Sequence, residues 1–303
     1  MAEMTYEVEA RDIPQIKKLL QQALGNGDYA DISRLGGMTN RSYKITRLNG
    51  ETVVARIPGV GTEKMIDRVA EKRSNELACS LGLDAKLLYF DDAGHKMMAY
   101  IEHRQELDER AMREDGIIRQ VAGIFRRLHT CGQDTHVPFD IFVMAHNYEK
   151  IIRKNKVTLY QDYETVKDKV MRIKNVEDNK GVGCVVPCHN DPLIANWILA
   201  DSGQLFLLDW EYAGMNDYMW DLSCVSIECN YPGGVDRRLL EAYYQRDATA
   251  EEQQHFVAEK IYVDFLWTLW GLTRVPYEGK FMEEYAAGRY TRLKRNLAVY
   301  AGI

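Results

Sequence analysis

The sequence lacks the features that are typical of nucleic-acid-binding and membrane-spanning proteins. Its formal net charge is −6 at neutral pH, so it has no basic excess with which to bind phosphate backbones. Its apolar runs fall short of the roughly 18 residues that a membrane-spanning helix needs. The longest candidate, residues 261–272, contains Asp264. We therefore expect no nucleic-acid partner and no membrane insertion.

Cysteine is sparse, with 6 residues among 303. The cysteines are scattered along the chain, which is typical of free thiols in a reducing compartment. Cys184, Cys188 and His189 lie close together in sequence, but their spacing matches no paired zinc-ligand motif. The N-terminal stretch MAEMTYEVEARD is polar and acidic and does not resemble a secretory signal. These features predict a cytoplasmic protein.

The first hundred residues alternate between helix and strand patterns. Residues 11–24 and 63–81 have helical character, and the second of these segments ends near Gly82. Asn49 and Gly50 separate two strand segments, and this dipeptide is a strong hairpin signal. The predicted strands are residues 29–35, 41–48, 51–57, 86–90 and 95–102. This pattern predicts a small, mostly antiparallel sheet with a helix inserted after its third strand.

Helical patterns dominate after about residue 105. The predicted helical segments are residues 109–130, 147–176 and 235–303. The highly charged stretch 147–176 is interpreted as a solvated surface face, and short apolar runs within 184–199 and 204–210 as strands or buried loops. We therefore predict an α+β fold with two lobes, residues 1–102 and residues 103–303, and a ligand-binding cleft between them.

The most informative segment for chemistry is residues 188–212. Asp191 is followed five positions later by Asn196, and Asp209 comes after the apolar run LFLL. Phosphoryl-transfer sites have this order and spacing, in which one aspartate accepts the proton of the attacking hydroxyl. Asparagine and aspartate also supply the hard oxygen ligands that Mg²⁺ prefers. We predict Asp191 as the catalytic base, Asn196 and Asp209 as magnesium ligands, and a supporting role for His189.

Two N-terminal segments are candidates for nucleotide binding. The turn at residues 35–40 contains a glycine pair, which lets backbone N–H groups approach phosphates. Residues 98–102 connect the predicted lobes, and their backbone groups are expected to hydrogen-bond the adenine edge. The residues predicted to contact the nucleotide in these segments are Gly37, Thr39, Asn40, Tyr100 and Glu102.

Arg56 ends the third predicted strand, in the stretch VVARIPG. A cation at this point can bind the α- and β-phosphates of a nucleotide. Glu71, in the following helix, can orient Arg56 through an ion pair, and Glu76 is the alternative partner. We predict that Arg56 and Glu71 belong to the nucleotide site.

Several stretches resemble the choline/ethanolamine kinase family, within the superfamily of aminoglycoside phosphotransferases and protein kinases. The matching stretches include GGMTNRSYKI, VVARIPG, CHNDPLIANWIL, LLDWEYAGMNDYMWDL, FLWTLWGL and EEYAAGRY, which span residues 35–290. The similarity is closer to bacterial choline kinases than to the larger eukaryotic enzymes. It implies a bilobal protein kinase-like fold, ATP and Mg²⁺ as cofactors, and phosphorylation of choline to phosphocholine.

The resemblance also implies a substrate site of aromatic and acidic residues. Its members here are Tyr212, Glu228, Trp267, Trp270 and Tyr285. Trp267 and Trp270 are three residues apart on a predicted helix and therefore share a face. A quaternary ammonium group has no N–H to donate, so aromatic faces and carboxylates bind it. The alternative is that both tryptophans belong to the core. Tyr231 is a further candidate wall of the site.

Other functions remain open at this point. Ethanolamine, another amino alcohol or an aminoglycoside could replace choline as the acceptor, because the same transfer chemistry serves each of them. A noncatalytic kinase-like binding module is disfavoured because Asp191, Asn196 and Asp209 are all present. A protein kinase is disfavoured because no A-P-E segment follows Asp209 and little chain is left for a peptide-positioning loop.

Overall fold

The computed structural model of the protein describes residues 7–35, 40–59, 66–102 and 105–302. Gly37 and Thr39, both predicted nucleotide contacts, lie outside these residues. The chain divides into two units. Unit 1 comprises Met1–Leu107 and Ala195–Ala213, and unit 2 comprises Asp108–Ile194 and Gly214–Ile303. The division falls between Asp191 and Asn196, and the lobe boundary at residue 102 stays a prediction.

The described residues form short strands and mostly longer helices. The strands are β1 (Asp31–Leu35), β2 (Arg41–Thr46), β3 (Thr52–Ile57), β4 (Leu87–Phe90), β5 (Lys96–Ala99), β6 (Gln105–Glu106), β7 (Val185–Cys188), β8 (Trp197–Leu199), β9 (Leu205–Leu207) and β10 (Gly214–Asp217). The helices are α1 (Ile13–Leu24), α2 (Arg68–Ser80), α3 (Asp115–His129), α4 (Ile141–Lys154), α5 (Tyr163–Lys180), α6 (Tyr218–Glu228), α7 (Gly233–Tyr244), α8 (Ala250–Glu278) and α9 (Lys280–Tyr300). The predicted α+β class, with a small antiparallel sheet and a larger helical part, is confirmed.

Unit 1 contains an antiparallel sheet in the order β1-β2-β3-β5-β4. Helix α1 packs against β4 and β5, and its residues Leu19 and Leu20 are buried in one core cluster with Tyr43 and Ile45 of β2. Between β2 and β3 the chain turns at Gly50, whose φ of 85° is the left-handed conformation that glycine adopts without strain. The hairpin predicted from its Asn-Gly dipeptide is therefore present.

Helix α2 follows β3, as predicted. It begins after Asp67, whose side chain accepts hydrogen bonds from the backbone N–H groups of Val69 and Ala70. An aspartate in this position satisfies N–H groups that have no partner inside the helix. The prediction placed the start at residue 63, but residues 66 and 67 are not helical and residues 63–65 lie outside the described part of the chain.

Residues 195–213 contribute the hairpin β8–β9 to unit 1. Strand β6 pairs with β8 to complete a sheet in the order β6-β8-β9. The backbone N–H of Leu207 donates to the carbonyl of Leu83, just after α2, at 2.9 Å. Trp197 and Leu207 are buried, so apolar packing holds the hairpin against the rest of unit 1.

Unit 2 is mainly helical. Helix α8 is 29 residues long and packs against α4, α6 and α9. It begins with a capping box, in which Thr249 accepts from the N–H of Glu252 and the Glu252 side chain accepts from the N–H of Thr249. No helix of the described residues is both long and apolar enough to cross a membrane.

The predicted helical stretch 147–176 is wrong in two respects. It is divided between α4 and α5, because Lys156 adopts a left-handed φ of 56° that interrupts the helix. Its charged residues are also not all solvated. Glu149 is buried and accepts hydrogen bonds from the hydroxyl of Tyr163 and the ammonium of Lys167, both at 2.5 Å. Polar partners on a neighbouring helix make this burial possible.

A buried histidine links several elements of unit 2. His255 on α8 contacts Asp217 with its Nε2 atom at 3.0 Å and Glu177 on α5 with its Nδ1 atom at 3.3 Å. Burial opposes the charged imidazolium, but the hydrogen bonds to Asp217 and Glu177 outweigh it and raise the pKa of His255 to about 10. Burial raises the pKa of neighbouring Glu259 as well. His255 is therefore a cation between two carboxylates near neutral pH.

This imidazolium predicts a pH-dependent stability. Because the pKa of His255 is higher in the folded chain, its contribution is complete below pH 6.5 and declines as pH rises through about 10. One such proton changes the free energy of unfolding by at most about 1.4 kcal/mol per pH unit. The free energy of unfolding, measured with urea, should therefore decline less steeply between pH 7 and 9.5 in His255→Gln than in the wild type.

The matched control is His136→Gln, because the His136 side chain is 75% exposed. That variant should keep the wild-type slope. Equal slopes for the wild type and His255→Gln would contradict the assignment of the proton to His255.

Candidate active site

The hairpin β8–β9 positions the two predicted magnesium ligands. Trp197 pairs with Leu207, and one residue beyond this pair the N–H of Leu208 donates to the carbonyl of Asn196 at 2.8 Å. Asn196 and Asp209 therefore leave the hairpin at the same end. Asp209 has a left-handed φ of 64°, which aspartate tolerates better than most side chains. Local pairing thus brings the backbones of the two predicted magnesium ligands, which are 13 positions apart in sequence, to the same end of the hairpin.

Arg56 connects this end of the hairpin to α2. Its side chain is 6% exposed, and its Nη1 atom donates to Asp209 Oδ1 at 3.1 Å. Its Nη2 atom pairs with Glu71 Oε1. Glu76, the alternative partner, is exposed on α2. The guanidinium is consequently held between the carboxylates of Glu71 and Asp209.

Sequence reasoning missed a second arginine at this cluster. Arg68, in the first turn of α2, donates to Glu71 Oε2 at 2.6 Å and lies 3.6 Å from Glu211 Oε2. The i, i+3 spacing of Arg68 and Glu71 was an available signal for this pair. Glu211 also accepts from Asn40 Nδ2 at 3.0 Å, so the predicted nucleotide contact Asn40 joins the same network.

The carboxylates of this cluster repel one another. Burial, and then the negative charge of Asp209, raises the pKa of Glu211. The Asp209 side chain remains 37% exposed, although Arg56 occupies one of its oxygens. Carboxylate and amide oxygens are suitable for Mg²⁺ and unsuitable for softer metals. The donor set of Asn196, Asp209 and Glu211 therefore fits a magnesium ion.

Two further buried charges lie behind the cluster. Lys96 is 3% exposed and its ammonium lies 3.8 Å from Glu71 Oε1. Burial, and then the positive charge of Arg56, lowers the pKa of Lys96. Burial also raises the pKa of Asp84, near Lys96, to about 6. Neither residue was predicted, because nothing in the sequence shows that these polar positions are buried.

The predicted catalytic aspartate follows β7 in unit 2. The loop before it is fixed by Asp221 on α6, which accepts from the backbone N–H groups of His189 and Asn190, each at 2.8 Å. Asn190 has a left-handed φ of 69°, and its carbonyl accepts from the indole N–H of Trp220 at 2.9 Å. The N–H of Asp191 donates to His189 Nδ1 at 3.2 Å. His189 is fully buried and supports the loop through this bond.

Asp191 lies within electrostatic range of two tyrosines, Tyr148 and the predicted substrate residue Tyr285. Burial, followed by the charge of Asp191, raises the pKa of Tyr148. For Tyr285, burial is again the main cause of a raised pKa, and the charges of Glu228 and Asp191 add to it. Asp191 and Tyr285, one residue of the predicted cage, therefore interact electrostatically within unit 2.

Three of the predicted cage residues form an aromatic cluster. Trp267 and Trp270 on α8 have ring centroids 5.8 Å apart with planes at 86°, and Trp270 and Tyr285 on α9 are 5.9 Å apart at 72°. A side chain at Gly271 would approach Tyr285 within 2.8 Å, so glycine permits this close contact between the helices. Trp270 is partly exposed, and its indole N–H has no hydrogen-bond partner among the described residues.

Glu228, the acidic residue of the predicted cage, forms an ion pair with an arginine that was not predicted. Arg289 Nη2 lies 2.5 Å from Glu228 Oε1, and the guanidinium carbon lies 4.9 Å from the centroid of the Tyr285 ring. Arg289 is 5% exposed. Tyr231, the additional candidate wall, is buried and donates its hydroxyl to the carbonyl of Met112 at 2.5 Å. The position of Tyr231 in the sequence did not show whether its ring lines the site or belongs to the core.

The remaining predicted residues belong to unit 1. Tyr212 is half-buried after β9, three positions beyond Asp209. Tyr100 donates its backbone N–H to Thr52 at 3.3 Å, and Lys44 Nζ lies 4.4 Å from its ring centroid. Glu102 is exposed. No side-chain contact of Glu102 within the described residues connects it to the Arg56 cluster.

Known proteins share this fold and sequence pattern. The crystal structure of choline kinase LicA from Streptococcus pneumoniae superimposes with a TM-score of 0.82 and 31% identity, covering 96% of this chain and 100% of that chain. Protein LicA of Haemophilus influenzae is 29% identical over 267 residues, which are 85% of this chain and 77% of that protein. Ethanolamine kinase 2 of Rattus norvegicus is 26% identical over 252 residues, 75% of this chain and 64% of that protein.

The fold and these similarities define an ATP-dependent small-molecule kinase. Within that class, the sequence model of choline/ethanolamine kinases matches residues 32–266. The chain belongs to the choline/ethanolamine kinase family.

Proposed function

We propose that the protein transfers the γ-phosphoryl group of ATP to the hydroxyl of choline and so forms phosphocholine. The observation that supports choline most directly is the cluster of Trp267, Trp270 and Tyr285 in the same region as Asp191. Aromatic faces attract a quaternary ammonium, and each such contact contributes roughly 0.5–2 kcal/mol. Tyr212 is a further wall of the cage in this proposal.

In this reaction Asp191 is the catalytic base. Its carboxylate accepts the proton of the choline hydroxyl as that oxygen attacks the γ-phosphorus, and the bond between the γ-phosphorus and the bridging oxygen of ADP breaks. The role requires a fixed backbone, and the bonds from Asp221 to the preceding loop supply it. His189 has no proton-transfer role in this scheme, because its Nδ1 atom accepts from the Asp191 backbone.

The Arg56 cluster binds the phosphates. Arg56, oriented by Glu71, interacts with the α- and β-phosphates, and Asn40 lies in the same network through its hydrogen bond to Glu211. Asn196 and Asp209, with Glu211, would hold Mg²⁺, which when bound neutralises negative charge on the β- and γ-phosphates. Residues 1–102 form the nucleotide-binding lobe in this proposal, with the backbone around Tyr100 and Glu102 at the adenine.

Ethanolamine is the second candidate acceptor, because Glu228 lies next to the aromatic cluster. A primary ammonium has three N–H donors and needs acceptors more than ring faces. The deciding experiment measures Mg²⁺-dependent ATP consumption with choline, ethanolamine and an aminoglycoside side by side. A higher kcat/KM for choline supports the proposal, whereas a clear preference for either other acceptor overturns it.

The aromatic cage predicts a substrate-specific effect of Trp270→Ala. Loss of one ring should raise the KM for choline by roughly 5- to 30-fold, which corresponds to the upper part of the range for a cation–π contact. The KM for ATP should stay within about twofold, since Trp270 belongs to unit 2 and the Arg56 cluster, the proposed phosphate site, belongs to unit 1. Steady-state kinetics with each substrate varied separately measures both values.

Trp270→Phe is the matched variant, because it keeps an aromatic face at the same position. We expect it to recover most of the affinity for choline. If the KM for choline is unchanged in Trp270→Ala, the tryptophan pair belongs to the core and choline loses its main support.

A further inference from the structure

The carboxylate beside the aromatic cluster is not a free negative charge. Arg289 contacts Glu228 at 2.5 Å, and the two side chains are only 6% and 13% exposed. An ion pair with so little solvent is weakly screened, so Arg289 offsets most of the field that Glu228 would direct at a bound cation. The same guanidinium lies over the ring of Tyr285.

The other acid nearby, Asp264, has a closer arginine than Arg289. Asp264 is fully buried on α8 and accepts two hydrogen bonds from Arg292, at 2.9 and 2.7 Å. Its contact with Arg289 is longer, at 3.5 Å. Arg292 makes the shorter hydrogen bonds to Asp264, while Arg289 also forms an ion pair with Glu228, without hydrogen-bond geometry at Oε1, and lies over the Tyr285 ring.

We propose that Arg289 determines the choice between quaternary and primary ammonium substrates by occupying the carboxylate of Glu228. This inference rests on the proposed function. A primary ammonium binds well where a carboxylate can accept its N–H groups, whereas a trimethylated ammonium has no donor and gains little from such an acceptor. With Glu228 already paired, ring faces are the main attraction that the cluster offers, and this favours choline.

The proposal makes Arg289 a specificity residue acting through Glu228. Removing the charge of Arg289 leaves the carboxylate of Glu228 without its partner. The ammonium group of ethanolamine can then take the place of the guanidinium. Choline cannot take that place, because its trimethylated ammonium has no N–H to donate to the carboxylate. The ratio of the two kcat/KM values, rather than either value alone, is the informative quantity.

Arg289→Met tests this directly. We expect the kcat/KM for ethanolamine relative to choline to rise about tenfold, mainly through a lower KM for ethanolamine. Arg289→Lys keeps a cation near Glu228 and should stay within about threefold of the wild-type ratio. The double variant Arg289→Met/Glu228→Gln should lose the rise, because the exposed carboxylate is gone.

Arg292→Met is the matched control. It removes a neighbouring arginine that binds Asp264 and has no described contact with Glu228 or Tyr285. It should lower thermal stability without changing the substrate ratio. If Arg289→Met does not fold, the double variant keeps the proposal falsifiable, because removing both charges leaves neither of them unpaired and a raised ratio there contradicts the role of Arg289.

Two outcomes overturn the role of Arg289: an unchanged ratio in folded Arg289→Met, or a raised ratio in the double variant. Equal losses for both substrates leave the ratio unchanged and so identify Arg289 as merely structural. The wild-type assay separates this inference from its premise. No turnover with either amino alcohol overturns the proposed function, whereas turnover with an unmoved ratio overturns only the specificity role.

Discussion

Asp191→Asn is expected to lower kcat by roughly 10²–10⁴-fold, which is the usual contribution of a positioned general base. Asparagine has nearly the same shape but accepts no proton at neutral pH. The loop should keep its conformation, because Asp221 binds the backbone N–H groups of His189 and Asn190. The KM values for ATP and choline should therefore change little, and stopped-time assays of phosphocholine formation measure the loss of turnover.

The matched control for this variant is Asp168→Asn, an exposed aspartate on α5. It removes the same charge from unit 2 at a position without a proposed role, and turnover should stay near the wild-type value. Near-normal turnover by Asp191→Asn would exclude Asp191 as the base and require another proton acceptor.

Asp209→Asn is expected to produce a comparable loss with a different signature. Loss of a ligand carboxylate weakens the stabilisation of phosphate charge, which is worth several kcal/mol and thus on the order of 10³-fold in kcat. The variant also leaves Arg56 without the carboxylate that accepts from its Nη1 atom. We expect the Mg²⁺ concentration for half-maximal rate to rise at least tenfold, on the order expected for a lost charged ligand.

A binding measurement distinguishes Asp209 from Asp191. Wild-type protein should gain thermal stability from ADP with Mg²⁺, because a ligand that binds only the folded state raises its melting temperature. Asp209→Asn should lose most of this gain, while Asp191→Asn should retain it. Asp92→Asn, an exposed aspartate of the same unit, is the control. Full stabilisation of Asp209→Asn would contradict its assignment as a metal ligand.

The elements of unit 1 could be predicted because their signals are local. Alternating apolar residues and the Asn49-Gly50 turn define β2 and β3, and the helical face of α1 is visible in its spacing. Strand β10 was missed, since the residues Gly214–Asp217 show no alternation and pair with β7 only through the tertiary fold. The break between α4 and α5 was missed for a similar reason: it depends on one left-handed residue, Lys156.

The sequence by itself determined which chemistry the chain can perform. The order of Asp191, Asn196 and Asp209, and the three-residue spacing of Trp267 and Trp270, are properties of the linear chain, because motif spacing and helix periodicity act over short distances. Together with the strand and helix patterns and the resemblance over residues 35–290, these features predict the fold class and the kinase family.

Only the tertiary structure decided which charges are paired. Arg56 is 153 positions from its partner Asp209, and Arg289 is 61 positions from Glu228. Such pairs depend on which elements pack together and how much solvent they exclude, and local sequence does not contain that information. In sequence, Arg289 is an ordinary helix residue. In the fold it is buried and forms an ion pair with Glu228, because burying a charge without an opposite charge nearby costs free energy.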